Sequence, residues 1–286
     1  MIKMEILKAI LFGIVEGVTE WLPVSSTGHM ILLDHFVKLN VSSDFWKMFE
    51  VVIQLGAILA VVVIFWNKLW PFTISKTSSI NGNDSAKHLR WKEGAFAMWV
   101  KIIIACVPAA VIGVAFDDKI DELFYHPIPV ALALIIVGLL FIIVEHTKGK
   151  NEPTITSIAE ITYQTAIIIG LFQTVAAVFP GTSRSGATIV GAILIGVSRE
   201  IAAEFTFFLA VPVMFGASLL KVVKFVKAGV HMTQNEGIIL LVGCVTAFLV
   251  SIVIIKFLMS YIKKHDFTIF GWYRVALGIA VILMLR

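Results

Sequence analysis

The sequence predicts an all-α integral membrane protein with six transmembrane helices and two re-entrant helical hairpins in an inverted-topology repeat. Of its 286 residues, 59% are hydrophobic and only 15% are charged, whereas soluble domains are about 45–50% apolar and about 25% charged. Six apolar runs are long enough, or nearly so, to cross a bilayer. Two further apolar stretches are interrupted by polar turns and match one another in sequence.

The spans follow from the lengths of the apolar runs, since a transmembrane helix needs about 20 mostly apolar residues. The runs at 127–144 and 238–255 contain no charged residue at all. The six predicted spans are 48–66, 99–116, 127–144, 205–223, 238–259 and 269–285.

The two remaining apolar stretches are interrupted in a way that a simple span is not. Residues 6–33 contain Pro23 and a polar run directly after it, and residues 162–197 contain Pro180 and a second polar run. Irregular backbone is tolerated at membrane depth only where protein buries it or where it lines a wet cavity. Each stretch is therefore predicted to form a re-entrant hairpin of two short helices.

The two hairpins also indicate an internal repeat. The predicted pairs are Gly13 with Gly170, Glu16 with Gln173, Pro23 with Pro180, Ser25 with Thr182, and Ser26 with Ser183. Three spans follow each hairpin, and an odd number of crossings inverts the second copy relative to the first. A single membrane domain, 1–286, is thus predicted to consist of repeat 1, about 1–145, and repeat 2, about 155–286.

The charges of the loops predict an orientation. The 67–98 loop is rich in lysine and arginine, which favours the cytoplasm, while the 117–126 loop is mainly acidic. The residues concerned are Lys68, Lys76, Lys87, Arg90 and Lys92 in the first loop and Asp117, Asp118, Asp121 and Glu122 in the second. Both termini are predicted to lie outside, and the first hairpin is predicted to open to the outer face.

Two glutamates in the first hairpin are candidates for metal binding or catalysis, because ionisable groups within a membrane are costly. Glu16 and Glu20 are four residues apart, so a helix places them on one face. Oxygen ligands of this kind suit Mg²⁺ or Ca²⁺, which also bind phosphate oxygens. The alternative is that the two glutamates extend from a helix end or bond to the other half of the protein.

The turn after Pro23 concentrates polar groups, namely Ser25, Ser26, Thr27, Gly28 and His29. Hydroxyls and turn amides can bind phosphate oxygens, and an imidazole can act as nucleophile or proton donor. The alternative is that the hydroxyls cap a helix and that His29 is a hydrogen-bonded core histidine. Capping alone accounts for a serine or threonine but not for the whole cluster.

The turn after Pro180 has the chemistry of an anion site. Its residues include Gly181, Thr182, Ser183, Arg184 and Ser185, and they are expected to begin a helix. Backbone amides, a helix N-terminus and hydroxyl donors converge in such sites, and an arginine can hold phosphate through two donors. The alternative is a structural ion pair of this arginine with one of the two glutamates.

Together, these motifs resemble those of a known family. The segments 16–29 and 180–188 closely resemble the two signature motifs of the undecaprenyl-diphosphatase, or bacitracin-resistance, family, and the segments 49–56 and 204–207 also match it. The resemblance implies a multi-pass enzyme of the bacterial inner membrane that removes the terminal phosphate of undecaprenyl diphosphate and recycles the carrier for cell-wall synthesis. It also implies a divalent cation and tolerance to bacitracin.

The resemblance implies site residues but leaves their roles open. Glu16 and Glu20 hold the cation or one of them is the base, while Arg184 and Ser183 clamp the diphosphate. Ser26 or His29 is expected to attack the terminal phosphorus, or His29 to protonate the leaving oxygen, and the choice between a phospho-enzyme and direct attack by water stays open. The expected partners are a polyprenyl diphosphate lipid and the bilayer, without nucleic acid because the net charge of +4 is small and dispersed. A homo-oligomer stays open, and an inverted-repeat transporter or lipid flippase is the alternative function.

Overall fold

The computed structural model describes residues 2–77, 86–92, 94–148 and 151–285. Helices dominate the described residues, joined by one short antiparallel sheet and a 3₁₀ turn at Ile158–Glu160. The elements are α1 Ile2–Thr19, α2 Ser26–Phe36, α3 Ser43–Val52, α4 Gln54–Ile64, α5 Trp66–Leu69, β1 Phe72–Thr77, β2 Ala86–Trp91, α6 Ala95–Phe124, α7 Pro127–Thr147, α8 Tyr163–Val178, α9 Arg184–Leu194, α10 Arg199–Lys227, α11 Gln234–Tyr261 and α12 Thr268–Met284.

Five helical stretches of the described residues are long and apolar enough to cross a membrane. They are α6, α7, α10, α11 and the continuous stretch Ser43–Ile64, in which α3 and α4 meet at Ile53. The sixth predicted span corresponds to α12, which has 17 residues and belongs to the shorter apolar helices. The chain is therefore a predominantly helical, multi-pass membrane protein.

Each interrupted stretch forms two helices joined by a turn, α1 with α2 and α8 with α9. The second helix of each pair begins after a serine with positive φ, Ser25 at 72° and Ser183 at 66°. The Ser25 hydroxyl accepts a hydrogen bond from the Gly28 amide at 3.4 Å, and the Ser183 hydroxyl accepts one from the Gly186 amide at 3.2 Å. The two turns thus end in the same capped geometry with a positive φ.

This geometry corrects the predicted alignment of the repeats by one residue. The predicted partner of Ser25 is Thr182, but Ser183 occupies the matching cap position. The second turn has one more residue between its proline and its cap than the first turn has. Consequently, the residue that matches Ser26 at the start of the second helix is Arg184.

Helix packing links the two halves of the chain. Helix α1 packs on α11 and α8 packs on α6, so each hairpin lies against the second long helix of the other half. Helices α7 and α12 pack together, and α10 packs on α3 and α4. Gly13 and Gly17 allow the close approach of α1, because an added Cβ would meet carbonyl oxygens of α11 at 2.7 and 2.8 Å.

The prediction of an acidic loop at 117–126 is wrong, because α6 continues through these residues to Phe124. Two lysines of α10 pair with the acidic side chains and stabilise the helix there. Lys221 Nζ lies 3.1 Å from Asp117 and 2.9 Å from Asp121, while Lys224 Nζ lies 2.7 Å from both Asp117 and Asp118. Neutralisation from a neighbouring helix is a tertiary effect that the local sequence does not reveal.

A short β-hairpin accompanies the helices of this all-α fold. Strands β1 and β2 pair antiparallel within the 67–98 segment, with Phe72 opposite Trp91 and their rings 4.6 Å apart. Residues 78–85, between the strands, lie outside the described residues. A two-stranded sheet leaves edge groups that need water, so we place it beyond the hydrocarbon region.

Candidate functional site

A cavity of about 880 Å³ extends from the first hairpin towards the ends of α6 and α10. Glu16, Ser26 and Thr27 of the first hairpin line it, together with Glu50 of α3 and Tyr125 after α6. The cavity joins polar groups from several helices inside an otherwise apolar molecule. We take it as the candidate active site.

Beside the cavity, Glu20 connects the two hairpin turns. The Ser26 hydroxyl donates to Glu20 Oε2 at 2.7 Å, and Arg184 Nη2 donates to Glu20 Oε1 at 2.9 Å. Arg184 Nη1 also donates to the Thr206 carbonyl of α10 at 3.3 Å. A hydroxyl, a carboxylate that can take its proton and a cation that orients the carboxylate form the arrangement of an activated nucleophile.

Glu16 differs from Glu20 because no described hydroxyl, amide or cationic group binds it, and its carboxylate lies beside that of Glu20. Its side chain is fully buried, and neither carboxylate oxygen accepts a hydrogen bond within the described residues. An isolated buried carboxylate is costly unless it is paired or coordinates a metal. Since Glu16 lines the cavity, it fits the role of a cation ligand.

The imidazole of His29 is held from both sides. Its Nδ1 lies 2.7 Å from the Ser25 carbonyl oxygen and its Nε2 lies 2.7 Å from the Tyr273 hydroxyl of α12. A carbonyl can only accept, so Nδ1 donates and Nε2 accepts from the tyrosine. The two rings also stack with 5.6 Å between centroids. His29 therefore faces α12 and is not among the cavity-lining residues.

The predicted phosphate-binding hydroxyls differ in their surroundings. Ser25 and Ser183 cap the second helices of the hairpins, as the capping alternative expects. Thr27 lines the cavity. Ser185 is buried and its hydroxyl lies 3.0 Å from the Ser183 hydroxyl and 3.3 Å from the Glu20 carbonyl oxygen. Their roles in phosphate binding stay predictions.

Arg274 of α12 is a structural residue that the sequence reasoning missed. It is fully buried, and its guanidinium donates to the carbonyls of Pro23 at 3.2 Å, Gly181 at 2.9 Å and Thr182 at 2.7 Å. It thus binds the backbone of both hairpin turns. Charged residues inside apolar spans are functional candidates. The arginine within the apolar run 269–285 could therefore have been identified from the sequence.

Glu50 and Tyr125 are further missed residues of the cavity. The Tyr125 hydroxyl donates to Glu50 Oε2 at 2.7 Å and fixes the orientation of that carboxylate. Glu50 is a charged residue inside the predicted span 48–66, so it too could have been identified from the sequence. No sequence signal indicates Tyr125, because its contact with Glu50 joins residues 75 positions apart in the chain.

The structure therefore brings Glu20, Ser26 and Arg184 into one hydrogen-bonded network beside the cavity, and Glu16 lines the cavity without a partner. It places His29 on the α12 side of the first turn. The catalytic, phosphate-binding and metal-binding roles of these residues stay predictions.

Comparison with known proteins identifies the relatives of this chain. Residues 9–280 match the family model described as "Bacitracin resistance protein BacA". Undecaprenyl-diphosphatase 1 of Clostridium acetobutylicum is 61% identical over 280 residues, covering 98% of this chain and 97% of the relative. The undecaprenyl-diphosphatase of Desulfitobacterium hafniense is 58% identical over 283 residues, covering 99% and 97%. That of Acetivibrio thermocellus is 57% identical over 280 residues, covering 98% and 97%.

Proposed function

Because this chain belongs to the bacitracin resistance protein BacA family, we propose that it is a membrane-bound undecaprenyl-diphosphatase. It hydrolyses undecaprenyl diphosphate to undecaprenyl phosphate and inorganic phosphate, which recycles the lipid carrier for cell-wall synthesis and confers bacitracin tolerance. The observation that carries the proposal within the structure is the hydrogen-bonded network of Ser26, Glu20 and Arg184 beside a polar cavity.

In the proposed membrane arrangement, α12 is the sixth span and both helix pairs are re-entrant. Helices α8 and α9 pack against one another across a short turn, as the two arms of a re-entrant hairpin do. The turn residues Ser25 and Thr182 are buried in protein. The exchange of packing partners between the halves supports an inverted-topology repeat of about 1–145 and 155–286.

The proposed chemistry starts at the Ser26 hydroxyl, which already donates to Glu20. Ser26 Oγ attacks the terminal phosphorus, its proton passes to Glu20, and the bond from that phosphorus to the bridging oxygen breaks. Undecaprenyl phosphate leaves with the electron pair of that bond, and water then hydrolyses the phosphoserine. The bonds that His29 makes with Ser25 and Tyr273 occupy both ring nitrogens, so we assign the attack to Ser26.

Arg184 is proposed to serve both the carboxylate and the substrate. Its guanidinium orients Glu20 and offers further donors to phosphoryl oxygens, with Ser183 and Ser185 nearby at the start of α9. A divalent cation supplies charge that offsets the diphosphate and the transition state. Glu16 fits as one ligand for it, because its carboxylate is buried, lines the cavity and lacks a partner.

Purified protein is expected to release inorganic phosphate from a polyprenyl diphosphate only in the presence of Mg²⁺ or Ca²⁺. The anionic substrate needs a cation, since carboxylates line the cavity. The measurement is a phosphate-release assay in detergent, repeated with excess chelator and after restoring the cation. Undiminished release in chelator would remove the cation from the mechanism, and no release under any of these conditions would remove the phosphatase proposal.

The orientation of the protein is proposed to place the acidic end of α6 outside and Lys264 inside. Asp118 and Lys263 are near opposite ends of the 29-residue α10, through Lys224 and Glu200 respectively. In a background without Cys106 and Cys244, a cysteine replacing Asp118 should react in intact cells with an impermeant thiol reagent. A cysteine replacing the exposed Lys264 should react only after permeabilisation. The reverse pattern would place the cavity on the cytoplasmic side.

A further inference from the structure

We infer that Glu50 of α3 is the second carboxylate that holds the divalent cation, together with Glu16 and in place of Glu20. Glu16 and Glu50 both line the same cavity from different helices. The inference rests on the proposed function, because the task it gives to the cation is to bring the diphosphate to Ser26. The position of the two carboxylates can be tested without any measurement of turnover.

The unpartnered state of Glu16 is the first reason. Both of its oxygens are buried without a hydrogen bond in the described part of the chain, although hydroxyls and an arginine lie one helical turn away around Glu20. Buried charges in proteins are paired or coordinate metals. A cation in the cavity would satisfy both oxygens at once.

The orientation of Glu50 is the second reason. Tyr125 donates to Oε2, and no hydrogen bond of the described residues uses Oε1. Carboxylates that ligate metals are commonly held by such a donor in the surrounding shell. Glu50 is only partly buried and lines the cavity, so a ligand in the cavity can reach it.

Glu20 is less suited to this role. Ser26 occupies one of its oxygens and Arg184 the other. A cation bound there would lie against a guanidinium and would compete with the hydroxyl whose proton Glu20 is proposed to take. Separating the two tasks leaves Glu20 as base and gives the cation to Glu16 and Glu50.

The charge of the cavity is the third reason. Among the described residues, seven carboxylates and three lysines line it. Two of those lysines, Lys221 and Lys224, already pair with aspartates. A diphosphate entering this cavity would meet excess negative charge at short range, which is unfavourable unless a cation accompanies it.

The size of the ligand set indicates which cation and when it binds. No group of three or more His, Cys, Asp or Glu side chains within the described residues forms a complete metal cage. Mg²⁺ is usually held by one or two carboxylates, with waters and substrate phosphates completing its octahedron. Binding to Glu16 and Glu50 should therefore strengthen when a diphosphate is present.

Titration with Mn²⁺, followed by its electron paramagnetic resonance signal, tests the assignment on the full-length protein in detergent. The titration is made alone and with saturating methylenediphosphonate, which cannot be hydrolysed. We expect Glu50→Gln and Glu16→Gln each to weaken Mn²⁺ binding at least about tenfold, since even outer-shell changes cost about 10–100-fold. Asp44, in the first turn of α3, also lines the cavity and is the matched control. Glu20→Gln and Asp44→Asn should each stay within about threefold of the unmutated protein, because neither removes a ligand.

Tyr125→Phe keeps both carboxylates and removes only the orienting hydroxyl, so it tests the site even if Glu50→Gln does not fold. We expect it to weaken Mn²⁺ binding about tenfold. Elution as a single species and the melting temperature check folding of every variant. Unchanged binding in Glu50→Gln, or in Tyr125→Phe when Glu50→Gln is unfolded, would overturn the inference. So would equal loss in Glu20→Gln, or an unmutated protein that binds no Mn²⁺ under either condition.

Phosphate release by the same unmutated preparation distinguishes this inference from the proposed function. Mn²⁺ binding that depends on Glu16 and Glu50, without any phosphate release from a polyprenyl diphosphate, would support the cation site and overturn the phosphatase proposal. Phosphate release together with Mn²⁺ binding that Glu50→Gln leaves unchanged would support the phosphatase and overturn the inference.

Discussion

Replacing Arg184 by lysine is expected to reduce kcat by at least about 10²–10³-fold, the loss typical of removing a single preorganised donor. The guanidinium of Arg184 serves Glu20 through one nitrogen and the Thr206 carbonyl through another. An ammonium is a point charge and cannot keep two such contacts in a fixed plane. The charge would remain, but the orientation of the carboxylate and the planar set of donors would be lost.

The loss should fall mainly on kcat. If Arg184 gains contact as charge develops on the phosphoryl oxygens, its removal weakens binding of the transition state more than binding of the substrate. The measurement is steady-state turnover of the detergent-purified Arg184→Lys variant over a range of substrate, with a melting curve to show that it is folded.

A second ion pair of the same chemistry provides a matched control. Arg199 forms bidentate hydrogen bonds with the buried Glu145, in which Nε donates to Oε1 at 3.0 Å and Nη2 donates to Oε2. Arg199→Lys should lower the melting temperature while leaving kcat near normal, because that pair lies outside the candidate site. A folded Arg184→Lys protein with near-normal kcat would show that Arg184 is structural and that other groups bind the phosphate.

Replacing Glu20 by glutamine is expected to reduce turnover by about 10²–10⁴-fold, the usual contribution of a general base. The amide has nearly the shape of the carboxylate but cannot take the Ser26 proton. It also removes the negative partner of Arg184. The substrate would still bind near Ser26, but the hydroxyl would no longer be activated.

Single-turnover phosphate release gives the cleanest measure of this loss, since product release does not enter it. Glu145→Gln is the control, because it neutralises a buried carboxylate that pairs with an arginine elsewhere. Combining Glu20→Gln with Ser26→Ala should cost little more than either change alone, since residues that act as one unit are non-additive. Fully additive losses would mean that Glu20 and Ser26 act in separate steps.

Much of the fold could be predicted from the sequence because the bilayer imposes long apolar runs. The runs at 99–116 and 238–259 both lie within single long helices. Errors occurred where tertiary contacts override the local pattern. Lys221 and Lys224 pair with acidic residues of α6 and stabilise a helix where the sequence alone indicates a loop.

The candidate site was predictable in its residue types but not in its connections. The motifs at Pro23 and Pro180 placed Ser26, Glu20 and Arg184 in facing turns, and the structure joins them. The roles of Tyr125 and Tyr273 depend on packing between distant helices. A polar aromatic side chain at the end of a span carries no comparable signal, because tyrosine is ordinary there.

The buried guanidinium of Arg274 restricts how the molecule can move. It binds Pro23 in one hairpin turn and Gly181 and Thr182 in the other, and it is wholly shielded from water. An inverted-repeat transporter exposes its central site alternately by rocking one half against the other. Such rocking would separate these carbonyls and leave the buried guanidinium of Arg274 without its acceptors. An uncompensated buried charge costs several kcal/mol. The contacts of Arg274 therefore hold the two hairpin turns together and oppose such a rocking of one half against the other.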